Sequence, residues 1–180
     1  QFVLLLKEDK APQYIDFLMS ICVDSSGPLP KIQSMITDRL LVRNADLMPN
    51  VLLESRDGTI VMRIHVMGSK DLATREELWI DPARFKTSKE VRGREQDYLG
   101  WITTATLSEL TETEKNVRYF IRCLNLCAML TAGRNQESLQ AVIGCQSLAM
   151  SYPQVLAVIQ EETLPYLLRA RYIRLMSKLY

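Results

Sequence analysis

The chain has 180 residues, with 22 Lys and Arg against 21 Asp and Glu, a formal net charge of +1. That balance excludes a whole-domain electrostatic grip on nucleic acid, which needs a basic excess on one face, so any basic function is local. Apolar residues make up 47%, enough at this length to bury the core of one ordinary domain.

The chain starts at Gln1 and stops at Tyr180 inside a strongly patterned segment, so it reads as a piece of a longer protein. The apolar run in QFVLLLKEDK is far short of a signal-peptide core, and no stretch approaches the ~20 apolar residues of a membrane span. Pro12 suits a first helical turn, and Tyr14, Phe17, Leu18, Ile21 and Cys22 recur at the spacing of one helical face. DSSGPLP breaks that helix. Pro30 starts a second, short one carrying Ile32, Met35, Ile36 and Leu40.

In NVLLESRDGTIVMRIHV two branched apolar runs flank Asp57-Gly58, a hairpin signal because glycine takes positive φ without steric cost. Strands are expected at 51–55 and 59–66, with a third at 77–80 ended by Pro82. So small a sheet needs a helix to pack on. RFKTSKEVRGREQD reads as a loop or the first turns of an exposed helix, the latter weakened by Gly93. YLGWITTATLSEL favours no state.

From Thr111 the helical signals are clean. Thr111 and Glu114 form a capping box, and the helix runs to the turn at Gly133. Arg118, Arg122 and Asn125 make one narrow polar stripe, so this helix is expected to be buried on most sides. Asn135, Ser151 and Thr163 each suit the cap of a further helix, the last two with Pro153 and Pro165 in the first turn. Four consecutive helices with short connections predict a mainly α, irregular armadillo- or HEAT-like solenoid with a β-hairpin insertion around 51–80. The whole is read as one domain: 1–48 helical, 49–82 the hairpin insertion, 83–110 a polar connector, 111–180 stacked helices.

Catalytic chemistry is poorly supplied, so an enzyme, a cofactor and a metal are not expected. His65, the one histidine, sits between Ile64 and Val66 as an ordinary strand residue. Cys22, Cys123, Cys127 and Cys145 lie in apolar surroundings and read as reduced core thiols. Glu76-Glu77 and Glu161-Glu162 are adjacent pairs that diverge on a helix and read as solvated. The last helix says more. Leu164, Leu168, Tyr172, Leu175, Met176 and Leu179 share one arc, and Arg171, Arg174 and Lys178 another. The basic arc is either a solvated face or an interface for an acidic helix or anionic head group. Arg169 projects from the apolar side and is expected to form a buried ion pair with a carboxylate from a neighbouring layer.

EETLPYLLRARYIRLM resembles the "LP-Y-x-LRA…RLM" segment of the inositol trisphosphate receptors, through Leu164, Pro165, Tyr166, Leu168, Arg169, Ala170, Arg174, Leu175 and Met176. PQYIDFLMSICVDSSGPLPKIQSMI is similar to the end of the homology region shared by ryanodine and inositol trisphosphate receptors, through Pro12, Asp16, Leu18, Cys22, Val23, Pro30, Gln33 and Ile36. Asn44-Ala45-Asp46, Glu77 with Trp79, and RYFIRCLNLCAMLTAGRN fall between them in the same order. Leu167 departs from the pattern, standing where the family has an acidic residue. The resemblance implies a cytosolic helical module of a homotetrameric calcium-release channel of an endoplasmic-reticulum-like membrane, coupling the ligand-binding region to the pore. Its partners would be neighbouring domains and other subunits, not nucleic acid, with the membrane met only through the parent chain. The family's phosphate-gripping residues lie N-terminal to the first matching block and are not carried over. Periodicity alone fits a second reading equally well: a soluble α-solenoid scaffold that binds a partner protein or peptide.

Overall fold

A computed structural model of the chain describes residues 2–66, 79–91 and 94–180. In chain order the elements are α1 (Phe2–Glu8), α2 (Pro12–Ser20), β1 (Val23–Asp24), β2 (Gly27–Pro28), α3 (Pro30–Thr37), β3 (Asn50–Arg56), β4 (Thr59–His65), β5 (Trp79–Ile80), β6 (Ser88–Val91), β7 (Arg94–Asp97), α4 (Tyr98–Thr104), α5 (Glu112–Leu130), α6 (Gln136–Ile143), α7 (Tyr152–Gln160) and α8 (Tyr166–Leu179). Short 3-10 turns link several of them, and a π-helical turn, Asp38–Val42, extends α3. The fold is mainly helical, with the strands in small antiparallel sheets.

The axis is α5. Thr111 N and Oγ1 donate to Glu114 Oε2 at 2.8 and 2.9 Å, and Glu114 N donates back to Thr111 Oγ1 at 3.3 Å, the expected capping box. Tyr119, Phe120, Ile121, Leu124 and Leu126 are buried, while Lys115, Arg118, Arg122, Asn125 and Met129 form a half-buried stripe. Helices α2, α3, α4, α6 and α8 surround it. Helix α3 is fastened to the far end of α5 by polar groups. Gln33 is fully buried and donates through Nε2 to Met129 O at 2.9 Å and Ala132 O at 3.1 Å. Asn135 caps α6 through Ser138 N and also donates to Pro30 O at 2.9 Å. In the turn between α5 and α6, Gly133 takes φ +73°, and a Cβ there would come within 3.1 Å of the Pro28 ring.

The hairpin forms where Asp57-Gly58 places it, with Arg56 opposite Thr59 and both turn residues at positive φ. Val51, Met62 and Ile64 turn their side chains into the core. Strand β5 adds beside β4 through Ile64 and His65; residues 77 and 78 of the expected third strand lie outside the described residues.

Four expectations are corrected. Within RFKTSKEVRGREQD, read as a loop or the start of a helix, Ser88–Val91 and Arg94–Asp97 pair as the antiparallel strands β6 and β7, after a 3-10 turn that includes Arg84 and Phe85, and Asp97 at its end caps α4 by accepting from Gly100 N at 3.2 Å. YLGWITT is a helix that buries Leu99, Trp101 and Ile102, so the stretch read as a polar connector carries part of the core. Thr163 does not cap α8; that helix begins after Pro165. Glu161 is not simply solvated. Its carboxylate accepts from Ile60 N at 2.6 Å, Thr163 N at 3.0 Å and Thr163 Oγ1 at 2.8 Å, and the bond from Ile60 leads the lowering of its pKa. The turn between α7 and α8 is thereby tied to the hairpin.

Candidate functional site

Helix α8 buries Leu168, Tyr172, Leu175 and Leu179, the apolar arc read from the sequence, with Met176 partly buried. Its basic arc divides. Arg174 and Lys178 are exposed, whereas Arg171 is half-buried, with its Nε shielded from solvent and without a hydrogen-bond partner. Burial, then the Arg174 and Arg122 guanidiniums, lower the Arg171 pKa. The structure therefore joins the arc of α8 to the polar stripe of α5.

That stripe has its own work. Arg118 Nη1 donates to Ala105 O at 2.6 Å, and Arg122 Nη2 donates to Thr103 O at 3.4 Å. These carbonyls close the C-terminus of α4, where unpaired C=O groups and the helix dipole attract cations. Arg122 Nε also lies 3.1 Å from Asp16 Oδ1 of α2, as an ion pair rather than an aligned hydrogen bond. Burial first, and Arg122 second, lower the Arg118 pKa, with Asp16 acting in the opposite direction. Among the described residues Asp16 is the one carboxylate within ion-pair distance of Arg118, Arg122, Arg171 or Arg174. The result is a local cationic cluster in a chain whose net charge is +1. Guanidiniums stay charged and offer planar donors, so the cluster can bind carboxylates or phosphates, and no nucleophile or proton carrier stands in it among the described residues.

Arg169 lies apart from this cluster. It is half-buried with a shielded Nε, and its side chain makes no ion pair or hydrogen bond among the described residues.

The remaining candidates are packing groups. His65 is half-buried with its ring centroid 5.4 Å from that of Trp79, and burial lowers its pKa. All four cysteines are free and buried; burial pushes the Cys22 thiol up to about 11 and raises Cys123 and Cys127 as well, which makes them poor nucleophiles. No three His, Cys, Asp or Glu residues come together to hold a metal among the described residues. Nor does any single helix there reach the length and apolarity needed to cross a membrane.

The arginine cluster makes a direct prediction. Arg171→Met removes an unpaired, half-buried charge beside two like charges, so it raises the urea unfolding midpoint, by about 0.5–1 kcal/mol in stability. The gain shrinks at high salt, where the repulsion is already screened. A loss above about 1 kcal/mol would instead make Arg171 part of the packing that holds α8.

No protein-family profile matches the chain. It is 25% identical over 182 aligned residues to the inositol 1,4,5-trisphosphate receptor-like protein A of Dictyostelium discoideum, a weak and distant relation. The alignment covers the whole of this chain and 4% of that protein's length.

Proposed function

We propose that this chain is a cytosolic helical module of an inositol trisphosphate receptor-like, ligand-gated calcium-release channel, passing movement from a ligand-binding region towards a pore. The observation that carries the reading is the similarity over the full length of the chain, in step with the ordered motifs at both its ends. The packing is compatible with the role. A helix locked to α5 by a buried polar contact, as α3 is through Gln33, moves with it as a body, and rigid layers in contact shift between discrete arrangements. In this reading α5 to α8 are layers of an irregular solenoid, the parent is a homotetramer at the cytosolic face of an endoplasmic-reticulum-like membrane, and the chain's arginines meet neighbouring layers or subunits.

Coupling, as opposed to ligand binding, has a measurable consequence. Calorimetry with inositol trisphosphate gives no saturable heat on this chain, because the phosphate-gripping residues of such receptors lie upstream of the stretch it matches. Micromolar binding with a steep salt dependence, lost on Arg171→Ala with Arg174→Ala, would make the arginine cluster a ligand site and overturn the coupling role. The channel itself is tested on the parent transcript. Several ~20-residue apolar segments in its C-terminal part are expected. A parent without any span would be a soluble scaffold.

A further inference from the structure

Between α1, α2 and the α3 helix with its π turn, the fold leaves an open groove of about 550 Å³, within the size range of ordinary binding sites. Its floor is core: Ile36 and Leu40 are buried. Its walls are apolar and stand in solvent, with Leu4 63% and Met35 51% exposed. Its rim is basic, formed by Lys7 from α1, Arg39 from the π turn and Arg43 just after it. The extra residue in that turn, closed by Arg43 N donating to Asp38 O at 3.0 Å, brings both arginines to the edge of the groove; such turns recur at functional sites. Arg43 is balanced by Asp38 at 2.8 Å, whereas Lys7 and Arg39 have no ion pair among the described residues.

We propose that this groove receives an amphipathic helix of a partner protein, with its apolar stripe between Leu4 and Met35 and its flanking Asp and Glu residues against Lys7 and Arg39. A preformed apolar groove is the usual receptor for such a helix, read through anchors at three- and four-residue spacing. Charge selects the partner. The cations come from different walls of the groove, which complements a helix that is acidic along its flanks; a lipid head group would call for cations converging at one end. The flexible Met35 side chain can adapt to the anchor it meets. The inference is independent of the channel reading, since a scaffold would use the groove in the same way.

The test uses the 180-residue chain and a panel of labelled helical peptides with Leu at i, i+3, i+4 and i+7 and Glu on the flanks, together with the same peptides carrying Lys. Fluorescence anisotropy gives affinity, and amide chemical shifts locate the site. Glu-flanked peptides bind at least about tenfold tighter than Lys-flanked ones, with shifts confined to α1, α3 and the π turn. Lys7→Glu with Arg39→Glu reverses that preference. Met35→Asp, on a side chain already in solvent, abolishes binding and leaves the urea midpoint in place. The proposal is overturned if no Glu-flanked peptide binds, if both sets bind alike, or if the shifts fall elsewhere. It is equally overturned if anionic vesicles, or self-association lost on Leu4→Glu, move the same amides while the peptides do not.

Discussion

Phe120→Ala lowers the unfolding free energy by about 3–5 kcal/mol, read as a fall in urea midpoint at unchanged slope. Phe120 is fully buried near the middle of α5, with Tyr119, Ile121, Cys123 and Leu124 buried beside it. Two terms add in such a change: the lost transfer of the ring out of water, and the cavity left where neighbours do not close in. Collapse is hard here, because α2, α3, α4, α6 and α8 all lean on α5 and cannot all move towards one hole. Domains of this size are stable by only about 5–15 kcal/mol, so this one substitution removes a large share of the total. A loss under about 1.5 kcal/mol would mean that the site relaxes freely, and α5 would then not be the axis of the fold.

The sequence made that axis legible because two independent signals agree on it, the capping box at Thr111 and Glu114 and an apolar wrap broken by a single stripe. The Asp57-Gly58 hairpin and the caps at Asn135 and Ser151 were legible for the same reason: each rests on local chemistry that distant contacts do not reverse. The misses are also physical. Strands β6 and β7 pair along charged residues and show no apolar alternation. Helix α4 spans seven residues, too few for a helical period to show, and includes Gly100. At the start of α8, Glu161 holds the Thr163 hydroxyl in a turn of its own, which removes that cap. The basic arc of α8 could be read from spacing alone. Its approach to Arg122 could not, because the Thr103 carbonyl that Arg122 holds belongs to α4, the helix that spacing had not shown. The groove stayed hidden likewise. Its walls come from α1, read only as a short apolar run, and from a π turn that periodicity does not announce.

Gln33→Ala costs about 2–4 kcal/mol, and the comparison with Gln33→Met separates its causes. The Gln33 amide reaches Met129 O in the last turn of α5 and Ala132 O just beyond it, where an ending helix leaves carbonyls unpaired. Without the amide both carbonyls lose their donor beside a fully buried site, and an unmet buried polar group costs about 1–3 kcal/mol. Ala adds a cavity to that loss. Met fills the volume and also removes Gln33 Oε1, a buried atom with no hydrogen-bond partner of its own. Met therefore recovers part of the loss and leaves about 1–2 kcal/mol, the share carried by the two bonds to the end of α5. Amide exchange places that share: protection falls first at the turn around Thr131 to Gly133, where α5, α3 and α6 meet, and last in the middle of α5. A Met variant as stable as the parent would show that volume alone, not the amide, locks α3 to α5. The rigid coupling of these helices would then rest on apolar packing, which slides more readily than a pair of directed hydrogen bonds.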